Sequence, residues 1–169
     1  MHSPCANCAA WNEPQQPFRI YGDTYYVGTH GLGSVLITSA TGHILIDGAL
    51  PESAQLIAAN IRALGFRIKD IKLILNSHAH FDHAGGIAEL QRLSGARVAV
   101  SQWAAEVMNK GAVLQDDPQF GTIVPIAKVA RVSHAWRHKF HVAVMRARPL
   151  SQPRLCRQLH TRISRWLPV

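Results

Sequence analysis

Residues 78–83 read His-Ala-His-Phe-Asp-His, which places four metal-ligating side chains, His78, His80, Asp82 and His83, in one short stretch. Imidazole nitrogens and carboxylate oxygens are the donors that borderline ions such as zinc prefer. Two positions apart on extended backbone, His78 and His80 point the same way. As the chain then turns, Asp82 and His83 can face a second ion alongside the first. Gly85 and Gly86 follow, where the lack of a Cβ lets backbone pack closely as a helix begins. Four ligand-type residues at this spacing make metal binding the reading of the motif.

The remaining histidines carry no such signal. His30, His43, His134, His138 and His141 stand singly and read as surface histidines without a metal role. Cys5-x-x-Cys8 has the spacing of a zinc knuckle, but no second pair follows. It reads as incidental to a frayed terminus, and the odd count of three cysteines fixes no redox compartment.

The elements that must position the cluster are strands alternating with helices. "FRIYGDTYYVG" (18–28) reads as two short strands about the Gly22–Asp23 turn, and "SVLITSATGHILID" (34–47) as a hairpin about Thr41–Gly42. After Pro51, the residues Ala54, Ile57, Ile61 and Leu64 keep helical spacing to a stop at Gly65. "IKLIL" (71–75) is a continuous apolar run, expected of a strand covered on both faces, and the histidine cluster sits at its C-terminal end. Ile87, Leu90 and Leu93 predict a helix ended by Gly95. "ARVAVS" (96–101) then predicts a strand, and "QWAAEVMN" a further helix. Helix-length connections between strands favour parallel pairing and an α/β layer fold, whose sites lie at the C-terminal ends of strands.

At 169 residues, with 47% hydrophobic residues, the chain suits one domain of ordinary size. No apolar run approaches the ~18 residues of a membrane span, and the N-terminus has neither the basic start nor the apolar core of a secretory signal. The net charge of +8 is unevenly spread. Residues 1–117 hold 8 Lys/Arg against 10 Asp/Glu, whereas residues 118–169 hold 10 Lys/Arg and no acid. From about Ser133 the text becomes rich in Arg, His, Pro and Leu and loses its period. Non-specific nucleic-acid binding by this basic stretch is the reading from a different class, but no stacking motif or groove-reading helix accompanies it.

The cluster resembles the H-x-H-x-D-H signature of the metallo-β-lactamase superfamily. The flanking text "WNEPQQPFRIYGDTYYVGT" (11–29), "SVLITSATGHILIDGALPES" (34–53) and "ILNSHAHFDHAGGIAELQR" (74–92) is similar to the third subclass of that family. "DDPQFG" (116–121) likewise resembles the loop beside that subclass's active site. The resemblance covers residues 11–132 and implies an α/β fold: the first lobe of a four-layer αββα sandwich with two zinc ions between its sheets. It implies that His78 and His80 bind one zinc, that Asp82 and His83 bind the other, and that Asp82 also orients the catalytic water. A zinc-bound hydroxide would open the amide of a small-molecule β-lactam, an antibiotic-resistance activity. Asp47, in "LIDG", stands where relatives support the metal loop, although it reads equally well as an acidic turn residue or helix cap. Trp11 lies in the segment that borders the substrate groove in relatives, with aromatic packing as its plainer role.

The family's remaining ligands, one histidine in a Gly-His-Ser/Thr-Pro-Gly loop and one further downstream, have no counterpart in such a context here. His160, in "QLHTRIS", lacks the flanking glycines and proline. The expected organisation is therefore an incomplete first lobe over 1–132 and a divergent basic tail over 133–169, disordered or translated out of frame. With that ligand count, one zinc or none is retained. The alternatives to an impaired β-lactamase are an inactive remnant with weak metal binding and a lactone or thioester hydrolase of the same superfamily. Relatives are exported to the periplasm, while the chain as read, without a signal, would stay in the cytoplasm. No membrane and no specific nucleic-acid partner is expected, and oligomeric state is not legible.

Overall fold

The computed structural model describes residues 5–134, and the expectations for His138, His141, His160 and the bulk of the basic tail fall outside them. The chain begins with a single helical turn, α1 (Cys8–Trp11). Cys5 and Cys8 are disulfide-bonded beside it, with Cα atoms 5.4 Å apart, a pairing that the incidental reading of Cys5-x-x-Cys8 did not anticipate. A seven-stranded sheet follows, with its strands in sequence order.

The first four strands are β1 (Phe18–Tyr21), β2 (Thr24–Tyr26), β3 (Val35–Ile37) and β4 (His43–Ile46), all antiparallel. Gly22 at φ 52° supplies the left-handed residue that the tight β1–β2 turn requires. From β4 onward the pairing is parallel, through β5 (Ile71–Leu75), β6 (Arg97–Val100) and β7 (Val132–His134). The connections carry α2 (Ser53–Ala63), a 3-10 turn (Ile68–Asp70), the short α3 (Phe81–Ala84), α4 (Ile87–Ser94) and α5 (Gln102–Lys110).

Sequence period and burial agree closely in the helices. Ala54, Ile57 and Ile61 of α2, Ile87 and Leu90 of α4, and Ala104, Val107 and Met108 of α5 are buried on the helix faces turned to the sheet. They meet Leu36, Leu45, Ile74 and Val98, which share one sheet face in register across β3 to β6. Each such fully buried aliphatic side chain contributes about 1.5–3 kcal/mol. Gly95 and Gly111 end α4 and α5 in the left-handed region, as C-terminal glycines do.

The helix layer covers one face of the sheet only. Ile74 of β5 is buried, but Leu73 and Leu75 on its other face are only half-buried, so β5 is not covered on both faces as its apolar run suggested. Val35, Ile37, Ile44 and Ile46 share that second face with Leu73 and Leu75. The described residues thus form one α layer on one β layer, the first half of an αββα arrangement. Strand β7 was not legible beforehand. Its three residues are too few to show a period, and its place is set by register with β6, Val98 against Val132. His43 also departs from its surface reading: it is buried in β4, with its ring edge-on to Phe66 at 5.3 Å.

Candidate metal centre

The parallel pairing of β4 with β5 brings two strand ends together, Ile46 opposite Leu75. Asp47 leaves the end of β4, and Asn76 and Ser77 leave the end of β5. The Asp47 amide donates to the Leu75 carbonyl at 2.9 Å, continuing the ladder by one residue. Asp47 then adopts φ 60°, a conformation that costs a non-glycine residue on the order of 1 kcal/mol and that Asp tolerates better than most. The turn aims its carboxylate at the neighbouring loop.

That carboxylate is a hub. Oδ1 accepts from the Asn76 side-chain amide at 2.8 Å and from the Ser77 backbone amide at 2.7 Å. Oδ2 accepts from the Ser77 hydroxyl at 2.7 Å and lies 3.1 Å from His83 Nδ1. The Ser34 hydroxyl holds the Asp47 carbonyl at 2.8 Å. Burial pushes the Asp47 carboxyl up, but the hydrogen bonds from His83 and from both Ser77 donors together outweigh it and hold its pKa below the usual value. In the same contact, the Asp47 hydrogen bond raises His83 against a smaller effect of burial.

The histidine loop is locked from beneath as well. His80 is extended (ψ 157°), and its carbonyl accepts from the His83 and Ala84 amides at 3.0 and 2.7 Å, which opens α3. The Gly48 amide donates to the His83 carbonyl at 2.7 Å, and the Gly86 amide to the Ala49 carbonyl at 3.2 Å. A Cβ on Gly86 would run into the Gly48 carbonyl oxygen, and one on Gly48 would lie 2.8 Å from the Ile87 nitrogen. The two glycines let the β4 and α3–α4 loops pack backbone to backbone.

Within this frame, His78, Asp82 and His83 each offer a ligand atom, and the three atoms lie within 4.8 Å of one another. The His78 ring centroid is 3.9 Å from that of His83 and 4.9 Å from that of His80. Burial, then the neighbouring His83 and His80, push His78 down, which favours the neutral imidazole that a metal takes. His80 stands slightly apart, with its Nε2 2.8 Å from Asp117 Oδ2. The donor set fits zinc in kind: imidazole nitrogens and a carboxylate oxygen gathered on one rim.

Of the residues singled out by sequence, His78, Asp82 and His83 come together, His80 borders them, and Asp47 lies directly behind. Trp11 packs against the core, and its carbonyl accepts from the Thr29 hydroxyl at 2.6 Å. Three contributors were not legible. Asn76 and Ser77 were not singled out, although their place just after a buried strand is a usable signal. Asp117 was only part of a loop "beside the active site". Its partner lies 37 positions upstream, a pairing no local pattern reveals.

Comparison with known proteins is consistent with this geometry. The sequence profile of the metallo-beta-lactamase superfamily matches residues 33–150. The Rm3 metallo-beta-lactamase is 59% identical and superposes with a TM-score of 0.76 over 78% of this chain and 49% of its own. MEM-A1, a subclass B3 metallo-beta-lactamase from a soil metagenome library, is 55% identical with a TM-score of 0.74, over 76% of this chain and 49% of its own. SMB-1, solved bound to 2-mercaptoethanesulfonate, is 46% identical with a TM-score of 0.74, over 76% of this chain and 50% of its own. The chain therefore spans about half the length of these solved relatives.

Proposed function

The chain belongs to the metallo-β-lactamase superfamily, and on that footing we propose that it is a zinc-dependent hydrolase of the β-lactamase type, acting on small-molecule β-lactams. The observation that carries the reading is the convergence of His78, Asp82 and His83 at the end of β5, braced by Asp47. His78, His80, Asp82 and His83 would hold the metal. When bound, zinc supplies Lewis acidity, which makes water a nucleophile near neutral pH and polarises a carbonyl. Asp82, half-buried on the same rim, would accept a hydrogen bond from the attacking water and orient it. Asp47 keeps the His83 ring from turning, by its bond to Nδ1. The relative SMB-1 was solved bound to 2-mercaptoethanesulfonate, which supports a small molecule as the ligand class here.

A catalytic zinc takes about three protein ligands, so four donors among the described residues suffice for one ion and not two. This favours, as a second reading, a protein that binds one metal ion with little turnover. Among the described residues no helix is long and apolar enough to cross a membrane. On the family alone we place the protein in the periplasm.

The deciding experiment uses the purified full chain and a His78→Ala variant, with zinc content by mass spectrometry and hydrolysis of a chromogenic cephalosporin. Zinc near one equivalent, lost together with turnover in the variant, is the expected result. Zinc uptake without turnover selects the second reading. Turnover that survives His78→Ala undiminished would overturn the assignment.

A further inference from the structure

We propose that Asp117 is a positioning residue that fixes the His80 imidazole in the tautomer presenting Nδ1 to a metal ion, an inference that rests on the zinc reading above. Asp117 Oδ2 lies 2.8 Å from His80 Nε2, and the Asp117 side chain is only 1% exposed. An ionised carboxylate accepts hydrogen bonds and donates none, so the hydrogen of this contact sits on Nε2. A neutral imidazole has one N–H, which leaves the lone pair on Nδ1. A metal bonds to that lone pair, so His80 meets an ion through Nδ1 and through no other atom.

The carboxylate is itself held in place. Its Oδ1 accepts from the Gln119 amide at 2.8 Å, while the Asp117 amide donates to the Leu114 carbonyl at 3.1 Å. The Asp117 carbonyl accepts from the Phe120 amide at 2.9 Å. The loop between α5 and β7, rather than the strand end that carries the motif, therefore sets the His80 ring. On the other side of the cluster Asp47 grips His83 at Nδ1, while His83 Nε2 faces the Asp82 carboxylate at 3.5 Å. Two buried carboxylates from separate segments thus make two histidines of one motif present opposite ring nitrogens. Partners of this kind orient the ring and raise its basicity, and their loss costs typically ~10–100-fold in metal affinity.

The test reads the tautomer directly, in metal-free full-length protein labelled with nitrogen-15 histidine. Long-range proton–nitrogen spectra, with His80 assigned by its loss in His80→Gln, should show Nε2–H. Asp117→Asn keeps Oδ1 for the Gln119 amide and turns an NH2 donor toward His80, so the tautomer should reverse to Nδ1–H. Zinc affinity, measured by competition with a chromophoric chelator, should then fall at least about tenfold. Asp116→Asn, a neighbouring carboxylate that faces Trp103 rather than His80, should change neither. Nδ1–H in the parent, or a tautomer or affinity indifferent to Asp117→Asn, overturns the proposal. If the variant fails to fold, the parent spectrum alone decides. A parent that takes up no zinc defeats the functional reading separately, because the tautomer is read without metal.

Discussion

Ser77 gives Asp47 two hydrogen bonds, from its amide to Oδ1 and from its hydroxyl to Oδ2, both at 2.7 Å. Together with His83 on Oδ2, they make one buried carboxylate the link between the end of β4 and the histidine loop. Asp47→Asn keeps the size and the tolerance of positive φ, but its NH2 cannot accept from both Ser77 and His83. Urea unfolding should show a loss of about 1–3 kcal/mol, and chelator competition a zinc affinity lower by ~10–100-fold. Asp47→Ala should lose more stability, since the Asn76 and Ser77 amides are then left without their acceptor. Zinc affinity unmoved by Asp47→Ala would show that the hub has no part in the metal site.

Gly86 and Gly95 bracket α4 and are glycine for different reasons. A methyl group on Gly86 meets the Gly48 carbonyl, which is backbone and cannot swing away. Gly95 has open space around it but sits at φ 77°. Gly95→Ala should cost about 1 kcal/mol through backbone strain alone. Gly86→Ala should cost about 1–3 kcal/mol through overpacking, and should also weaken zinc binding by parting the two loops. Equal unfolding losses with zinc affinity intact in both variants would refute the distinction.

Local signals made much of this molecule legible. Ala54, Ile57 and Ile61 marked α2, Gly95 the end of α4, and "HAHFDH" the strand-end cluster, because helix period, cap chemistry and ligand type are all written within a few residues. The misses are relations between distant residues. The pairing of Asp117 with His80, the three-residue β7 and the half-buried state of Leu73 and Leu75 depend on what packs alongside in space. An apolar run such as "IKLIL" has the same appearance whether one face is covered or two.

Ser101 caps α5 by accepting from the Ala104 amide at 3.2 Å. Removing such a cap costs about 1 kcal/mol, so Ser101→Ala should lower the free energy of unfolding by that amount. Trp103, two residues on, has its ring 6.4 Å from that of His80, yet Asp117 rather than α5 holds the imidazole. Zinc affinity in Ser101→Ala should therefore stay within twofold of the parent. A loss comparable to that of Asp117→Asn would mean that α5 sets the His80 ring.

Adjacent residues on β5 offer a sharper probe of the two sheet faces. Ile74 is buried among Leu36, Leu45 and Val98, whereas Leu73 lies half-buried on the opposite face beside Ile44. Ile74→Ala should leave a cavity between sheet and helices and cost about 2–5 kcal/mol. Leu73→Ala removes a side chain of similar size from a site already partly open to water, and should cost about 1 kcal/mol. Both are read from urea unfolding of the full chain, with the slope checked against the parent so that the losses are comparable. Matching losses would require the second sheet face to be packed as tightly as the first, and would place a partner layer against Ile44, Ile46, Leu73 and Leu75.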